Sequence, residues 1–443
     1  MPAAATSASI ENSLAWLADA RARTDRLFGV VRDAHLYDRP IPERHRIVFY
    51  VGHLEAFDWN LLREAVHVRA PWRPDFDRLF AFGIDPVGGG LPTDGPEDWP
   101  AIEEVRRYDA EIREALDAGL GSAMRAASAA ERQSLDRRLN VAIEHRLMHE
   151  ETLCYMFHRL PYERKNRWEQ AATPIPLRAM RPEMLEIPAG VARMGLRRDG
   201  GARFGWDNEF EAHEVNVPAF RMDRFMVTNG EFLGFVETGG YARPEFWTEE
   251  DWRWISAAGV RHPAFWNHKQ GEWHWRGMFE EISLPLDWPV YVSHAEAAAY
   301  ARWVRKSLPS EAQWQRAAYG ESAADERAFP WGNGPASAQR GNFDFGRFDP
   351  APVHAWPESR GAFGVEGMIG NGWEWTSSRF APFPGFEPFS FYPGYSANFF
   401  DGKHFTMKGG SPRTALSMLR PSFRNWFQAY YPYVYAGFRC VSA

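Results

Sequence analysis

Apolar residues recur at helical spacing through roughly the first 160 positions, a stretch rich in Ala, Arg and Leu with little β-branched character. The pattern predicts four helices, over about 9–36, 43–68, 98–120 and 128–159. Pro40 and Pro42 separate the first two, and a Pro/Gly-rich stretch through Pro86, Gly88, Gly89, Gly90 and Pro92 separates the second from the third. Four amphipathic helices of this length suggest a bundle, whose interior is a usual place for side chains to gather a metal. The texture changes after the polar, proline-bearing connector PYERKNRWEQAATPIP. From about 184 onward short strand-like pieces sit among many Gly and Trp residues. Helices are expected only near 229–237 and from Ser293 to about 306, with SLPSEAQWQRAA adding a further helical turn or two. Such a segment is an α+β domain with a large share of ordered loop. The expected organisation is a helical domain over 1–165, a linker over 166–183 and an α+β domain over 184–443.

Composition narrows the function classes. A chain of 443 residues is long enough for two or three domains. Its 20 Trp, 15 Tyr and 32 Phe predict well-filled cores and an aromatic pocket. A net charge of −7 without a dense Lys/Arg block predicts neither a nucleic-acid nor an anionic-membrane footprint, so small-molecule partners are expected. No apolar run approaches the ~18 residues that span a bilayer, and MPAAATSASIENS lacks the basic-then-apolar order of a signal peptide, which predicts a cytoplasmic protein. Cys154 and Cys440 are too few for a disulfide framework or a thiolate cage. Any metal must therefore use His and carboxylates.

The fourth predicted helix carries such a group. His145 and His149 are four apart in NVAIEHRLMHEETLCYMFHRLP and lie on one helical face, in a stripe with Ala142, Thr152, Leu153 and Met156. Two imidazoles so spaced can converge on one divalent ion with ligand bonds of ~2.0–2.1 Å. Buried histidines hydrogen-bonded to neighbours are the plainer alternative. A third candidate is His53 in FYVGHLEAFDWN, at the edge of a stripe of Tyr50, Leu54, Phe57 and Leu61, where an inward imidazole is costly unless a partner or metal satisfies it. His45 and His67 sit among polar residues near the ends of that helix and are expected to be solvated. Glu151 is rotated about 160° from His149, which makes a metal-ligand role for it less favourable than a supporting one. Three neutral imidazoles suit Zn, Fe, Cu or Ni alike.

In both halves the motifs resemble a known family. The helices with His53 and the string His145, His149, Glu151 resemble the DinB-like bundle of the ergothioneine sulfoxide synthases (EgtB). The rest resembles the formylglycine-generating-enzyme, C-type-lectin-like α+β fold. Its markers are IPAGVARMG, FRMDRFMVTNGEF, PVYVSHAEAAAYARW, LPSEAQWQRAA, FPWGN, GMIGNGWEWTSS, MKGGS and YAGFRC, in that order. The resemblance implies a mononuclear non-haem iron oxidoreductase that joins sulfur, or in the SenA branch selenium, to the imidazole of hercynine using dioxygen. It makes His53, His145 and His149 the Fe(II) ligands. The formylglycine enzymes work through a cysteine pair after GGS, whereas SPRTALSMLRPSFRNW has none, which argues against sulfatase activation.

By the same resemblance, Asn425 and Trp426 hold the betaine end of hercynine, with aromatic faces worth ~0.5–2 kcal/mol each to a desolvated quaternary ammonium. Tyr395 corresponds to the tyrosine that meets the substrate imidazole, and Tyr392, reached with one inserted residue, to the catalytic tyrosine. Core packing is the alternative for these rings and for Phe391, Phe399 and Phe400. Members using γ-glutamylcysteine carry an acid and an arginine after the RNW string, where this chain has Phe427 and Tyr431. The asparagine-tyrosine-tyrosine string of some cysteine users is also replaced, by LFAFGIDPVGGGLP. A flat aromatic surface suits a sugar ring, so the expected donor is a selenosugar and the expected reaction selenoneine synthesis, with cysteine or another thiol as the alternative. Arg424, with Arg413 and Arg420, is a candidate for substrate carboxylate or a brace of the fold. A zinc-dependent DinB-type thiol transferase and a non-catalytic binding module are the readings from other classes.

Overall fold

The computed structural model describes residues 2–66, 72–81, 91–168, 183–198, 204–322 and 327–443. His67, residues 82–90 of the Pro/Gly-rich stretch and most of the expected linker lie outside them. The chain divides into two compact units, Met1–Trp168 and Glu169–Ala443, and the architecture is multidomain α and α+β.

The first unit contains helices α1 (Pro2–Phe28), α2 (Ile47–Leu62), α3 (Pro74–Leu79), α4 (Ile102–Ala126) and α5 (Ala129–Arg159). The expected first helix runs to residue 36. The chain leaves it at Gly29 and makes a separate helical turn at Asp33–His35. The third runs on past residue 120, through Gly119, where a Cβ would stand 2.7 Å from the Val66 side chain, so only glycine admits that neighbour. α5 starts at a capping box, Ser128 accepting from the Glu131 N–H while the Glu131 carboxylate accepts from the Ser128 N–H at 2.9 Å. Such a cap contributes about 1 kcal/mol. The short α3 falls where no helix is expected. Pro74 at its first position and Asp75 and Asp77 in its first turn favour a helix start.

α2 and α5 are buried on more than one face. Leu54, Leu61 and Leu62 pack apolar surface, while Glu55, Asp58 and Arg146 are also buried. Arg146 Nη2 lies 2.7 Å from Asp58 Oδ2 and 2.9 Å from Glu55 Oε1. Arg113 and Arg21 join the same carboxylates from α4 and α1. Buried charges survive in a fold only when paired in this way.

The second unit holds strands β1 (Met184–Ile187), β2 (Gly190–Met194), β3 (His213–Val217), β4 (Phe220–Asp223), β5 (Trp266–Lys269), β6 (Glu272–Arg276), β7 (Glu281–Ser283), β8 (Gly372–Arg379), β9 (His404–Gly410), β10 (Asn425–Gln428), β11 (Ala436–Gly437) and β12 (Val441–Ser442). Its helices are α6 (Asn229–Glu237), α7 (Glu249–Ala258), α8 (His294–Trp303) and α9 (Glu311–Tyr319). The largest sheet has the order β10-β9-β8-β11, antiparallel except for β8 with β11. Capping boxes at Thr228, Ser293 and Ser310 start α6, α8 and α9. α7, absent from the sequence expectation, begins on a Thr248 cap and ends at Gly259 with φ 65°. Two sequence markers meet in the core. Glu374 on β8 pairs with Arg439 at 2.6 Å, both side chains fully buried, and Glu374 also accepts from Trp314 Nε1 at 2.9 Å. Among the described residues no helix is long and apolar enough to cross a membrane.

Candidate metal centre and aromatic cluster

α2 and α5 bring three imidazoles to one point. His53, His145 and His149 are each at least nine-tenths buried, and one ligand nitrogen from each lies within 4.8 Å of the others. His145 Nε2 and His149 Nε2 are 3.1 Å apart. Two nitrogens each ~2.1 Å from a shared ion stand ~3.0 Å apart at a right angle, so the pair has the spacing of two ligands on one metal. The third ring is oriented by backbone: His53 Nδ1 donates to the Phe80 carbonyl at 2.6 Å, which leaves Nε2 with its lone pair. Gly52 makes this possible, because a Cβ there would lie 2.7 Å from the Phe80 ring.

Aromatic rings hold the imidazoles flat. Phe49 stacks on His53 at 4.8 Å between centroids, and Phe57 on His145 at 3.5 Å with an interplanar angle of 11°. The Nδ1 atoms of His145 and His149 are buried without a hydrogen-bond partner in the protein. Burial, against the pull of the Phe80 carbonyl and with smaller help from His45 and Arg146, pushes the His53 pKa down to about 4. Burial, with the neighbouring imidazoles and Arg146, holds His145 and His149 well below the usual histidine range, and Arg44 adds to this at His149. All three rings are thus neutral near pH 7, the state a metal requires. The fit to a divalent ion is good: three converging imidazoles, one fixed tautomer and, among the described residues, no carboxylate in the cluster. Glu151 is buried on α5 and is not part of the group.

In the second unit the expected substrate residues form an aromatic cluster. Tyr395 lies between Trp206, stacked at 3.8 Å, and Trp426, edge-on at 5.3 Å. Trp426 stacks on Phe380 at 4.1 Å and meets Phe399 at 5.6 Å. Tyr392 is 5.6 Å from Tyr395 between ring centroids, and burial together with the nearby Asp207 charge pushes its phenol up to about 12. Asn425 opens β10, its Oδ1 accepting the Trp426 N–H at 2.8 Å. Phe427 is the next residue along the strand and so points to the opposite face from Trp426. Its ring stacks on Tyr431 at 5.2 Å, which places the two expected substrate groups on two sides of β10.

Arg424, open in the sequence between a substrate carboxylate and a brace of the fold, is engaged by partners within its own unit. Its Nε and Nη2 donate to Glu311 at 2.8 and 3.0 Å, and its Nη1 to the carbonyls of Asn208 and Ala381. A guanidinium with its donors spent inside the protein braces the loop. Arg420 is likewise held by Glu209 at 2.8 Å, and Arg413 donates to the Phe345 carbonyl at 3.0 Å.

Sequence reasoning missed the segment Trp206–Glu209, which pins both aromatic loops. Ser396 Oγ donates to Asp207, and Asn208 Nδ2 donates to Ser396 Oγ at 2.9 Å. Glu209 accepts from Arg420 and from Ser422 Oγ at 2.6 Å, fixing the loop that leads to Asn425 and Trp426. Burial pushes the Asp207 carboxyl up to about 6, against the pull of Ser396 and two backbone N–H groups. The run Trp-Asp-Asn-Glu carried the signal, three polar residues directly after a Trp.

Comparison with known proteins assigns both units. Residues 170–443 match the family model described as the sulfatase-modifying factor enzyme 1-like domain, and residues 17–153 match the DinB superfamily. A hercynine oxygenase of Mycolicibacterium smegmatis is 34% identical over 437 residues, covering 96% of each chain. The hercynine oxygenase of Mycobacterium tuberculosis is 41% identical over 236 residues, 53% of this chain and 55% of that protein. Ergothioneine biosynthesis protein 1 of Neurospora crassa is 28% identical over 92% of this chain and 55% of its own length. The matched stretch thus spans about half the length of these last two relatives.

Proposed function

This chain belongs to the hercynine oxygenase family, enzymes of the EgtB type, and from that premise we propose that it replaces the imidazole C–H of hercynine by a carbon–chalcogen bond, with dioxygen as oxidant. The observation that carries the reading is the convergence of His53, His145 and His149, whose donor set suits Fe(II). A ferrous ion on those imidazoles supplies redox chemistry with dioxygen and a cationic seat for a thiolate or selenolate.

The chain's own residues do the rest. Phe80 fixes His53, and Phe49 and Phe57 hold two rings in plane, so little reorganisation accompanies metal entry. Trp426 offers its indole to the trimethylammonium group and Asn425 its amide to the carboxylate. Tyr395 is the contact for the substrate imidazole. Tyr392 Oη keeps its proton at neutral pH and is the proton donor as oxygen is reduced.

The donor we propose is a selenosugar, which makes the chain a selenoneine synthase of the SenA branch. The Phe427–Tyr431 pair offers a flat apolar face in place of charged groups that would recognise γ-glutamylcysteine. The chain is to be purified anaerobically, its metal measured, and oxygen uptake followed with hercynine plus a selenosugar, cysteine or γ-glutamylcysteine, with mass spectrometry of each product. Iron-dependent uptake requiring hercynine and fastest with the selenosugar is expected, and His149→Ala should abolish it. Uptake fastest with a thiol would refute the selenium branch alone and leave the ergothioneine-type reaction. Bound zinc with no uptake for any donor would overturn the oxidative reading in favour of a thiol transferase.

A further inference from the structure

A second site lies in the first unit, away from the histidines. Val51 on α2 is two residues from His53 and so points to the far side of that helix. There a cleft of about 410 Å³ opens, with Phe28, Val51 and Ile102 among its apolar walls. Clefts of ~300–1,000 Å³ are the usual size for small ligands.

Its charged lining is unbalanced. Arg106 at the rim is paired with Asp33 at 2.9 Å, and Arg113 with Asp25 at 2.6 Å and Glu55 at 2.7 Å. Asp109 lines the same cleft, is nine-tenths buried, and has Oδ1 without a hydrogen-bond partner. Behind it, Glu55, Asp58 and Asp117 share Arg21 and Arg146. Six carboxylates thus line or back the cleft against four guanidiniums, in separate sets: Asp33 with Arg106, Asp109 with no ion pair among the described residues, and Asp25, Glu55, Asp58 and Asp117 sharing Arg21, Arg113 and Arg146. With Asp109 ionised the lining is short of positive charge, and Asp109 is the lining carboxylate that no guanidinium pairs.

We infer that this cleft binds a small aliphatic amine as its ammonium ion, seated on Asp109 with its alkyl body against Phe28, Val51 and Ile102. An anion would add to the excess of carboxylates. A divalent metal lacks ligands, since among the described residues the histidine trio is the one cluster with metal-binding spacing. An ammonium needs only one charged acceptor and can satisfy its other protons with water at the mouth. Burial and the Glu55 charge hold the Asp109 carboxyl well above its usual range. Asp25 pushes the same way, and Arg113 and Arg146 pull against them. The amine therefore takes the place of a proton, and its affinity rises with pH.

The test is calorimetric titration of the full chain with n-butylamine, with 1-butanol as the uncharged control. Saturable one-to-one binding of the amine and none of the alcohol is expected. Asp109→Asn should weaken the amine at least tenfold. Ala110→Trp, at the exposed rim of the cleft, should weaken it similarly without touching the charges, and serves if the first variant does not fold. His149→Ala should bind the amine as the wild type does. Absence of saturable binding, equal affinity in Asp109→Asn and Ala110→Trp, or loss of binding in His149→Ala would each overturn the assignment.

Discussion

The structure makes a strong demand at Gly52. An alanine there would put its Cβ 2.7 Å from Cδ2 and Cε2 of Phe80, where ordinary carbon contacts begin near ~3.5 Å. The Phe80 ring must then retreat by roughly 0.8 Å, and it is boxed in by Phe49, Phe76, Trp99 and Tyr108. The displacement passes to the backbone and draws the Phe80 carbonyl away from His53 Nδ1, now 2.6 Å distant. Overpacking costs about 1–3 kcal/mol, and the better helix propensity of alanine returns about 1, so the metal-free protein should lose between about 0 and 2 kcal/mol. Loss of the group that orients a ligating histidine weakens metal binding by ~10–100-fold. Anaerobic Fe(II) titration and thermal unfolding of Gly52→Ala measure the two effects separately. Phe80→Leu, which keeps the carbonyl and yields space, should restore metal affinity to within about threefold when added to Gly52→Ala. If Gly52→Ala is destabilised yet binds iron as tightly as the wild type, the Phe80 carbonyl does not orient His53 and the reasoning fails.

Three further outcomes are expected. Arg146→Met leaves the buried Asp58 with only the more distant Arg21 at 3.9 Å, while Glu55 keeps Arg113 at 2.7 Å, so chemical denaturation should show a loss of about 3 kcal/mol. Tyr392→Phe should lower kcat for product formation by ~100-fold or more in steady-state assays while leaving the KM for hercynine within about twofold, since it removes a proton and not a binding surface. His294, buried beside Phe405 and bonded to the Thr376 carbonyl, has its pKa pushed down to about 3 by burial. A histidine depressed in the fold and near 6.5 when unfolded takes up protons on unfolding, so stability falls as pH drops below 6.5. Between pH 7 and pH 5 this one group should account for about 2 kcal/mol, and the pH dependence of the melting temperature should flatten correspondingly in His294→Gln.

What could be read from the chain in advance follows from what each feature needs. The pair His145 and His149 is local, and a period of 3.6 residues suffices to put both on one face. His53 was reachable because Tyr50, Leu54 and Phe57 mark its stripe. The group that orients it was not, because the Phe80 carbonyl is backbone, lies 27 residues further on, and leaves no trace in side-chain chemistry. Arg424 looked like a spare cation because its partner Glu311 stands 113 residues earlier on another element. The partners of the hub at Trp206–Glu209 were hidden for the same reason, its bonds to Ser396, Arg420 and Ser422 all spanning long stretches of chain. α7 was hidden by its tryptophans, which read as loop texture although the Thr248 cap and Gly259 stop were in place.

The hardest feature to read was that α2 and α5 have two buried faces with different tasks. A stripe argument assigns one inward side to a helix, yet His53 and Glu55, two residues apart, are both almost wholly buried, as are His145 and Arg146. One face presents neutral imidazoles among aromatic rings, and the other presents paired charges. This arrangement is self-consistent only if the charges are matched on their own side. Arg146 depresses the pKa of all three histidines, and Asp58 and Glu55 at 2.7 and 2.9 Å neutralise much of its field. A carboxylate moved from that network to the histidine face would offset the charge of an ion held there. The salt-bridged face is therefore a condition for a metal site built from imidazole alone, and the two faces have to be tested together.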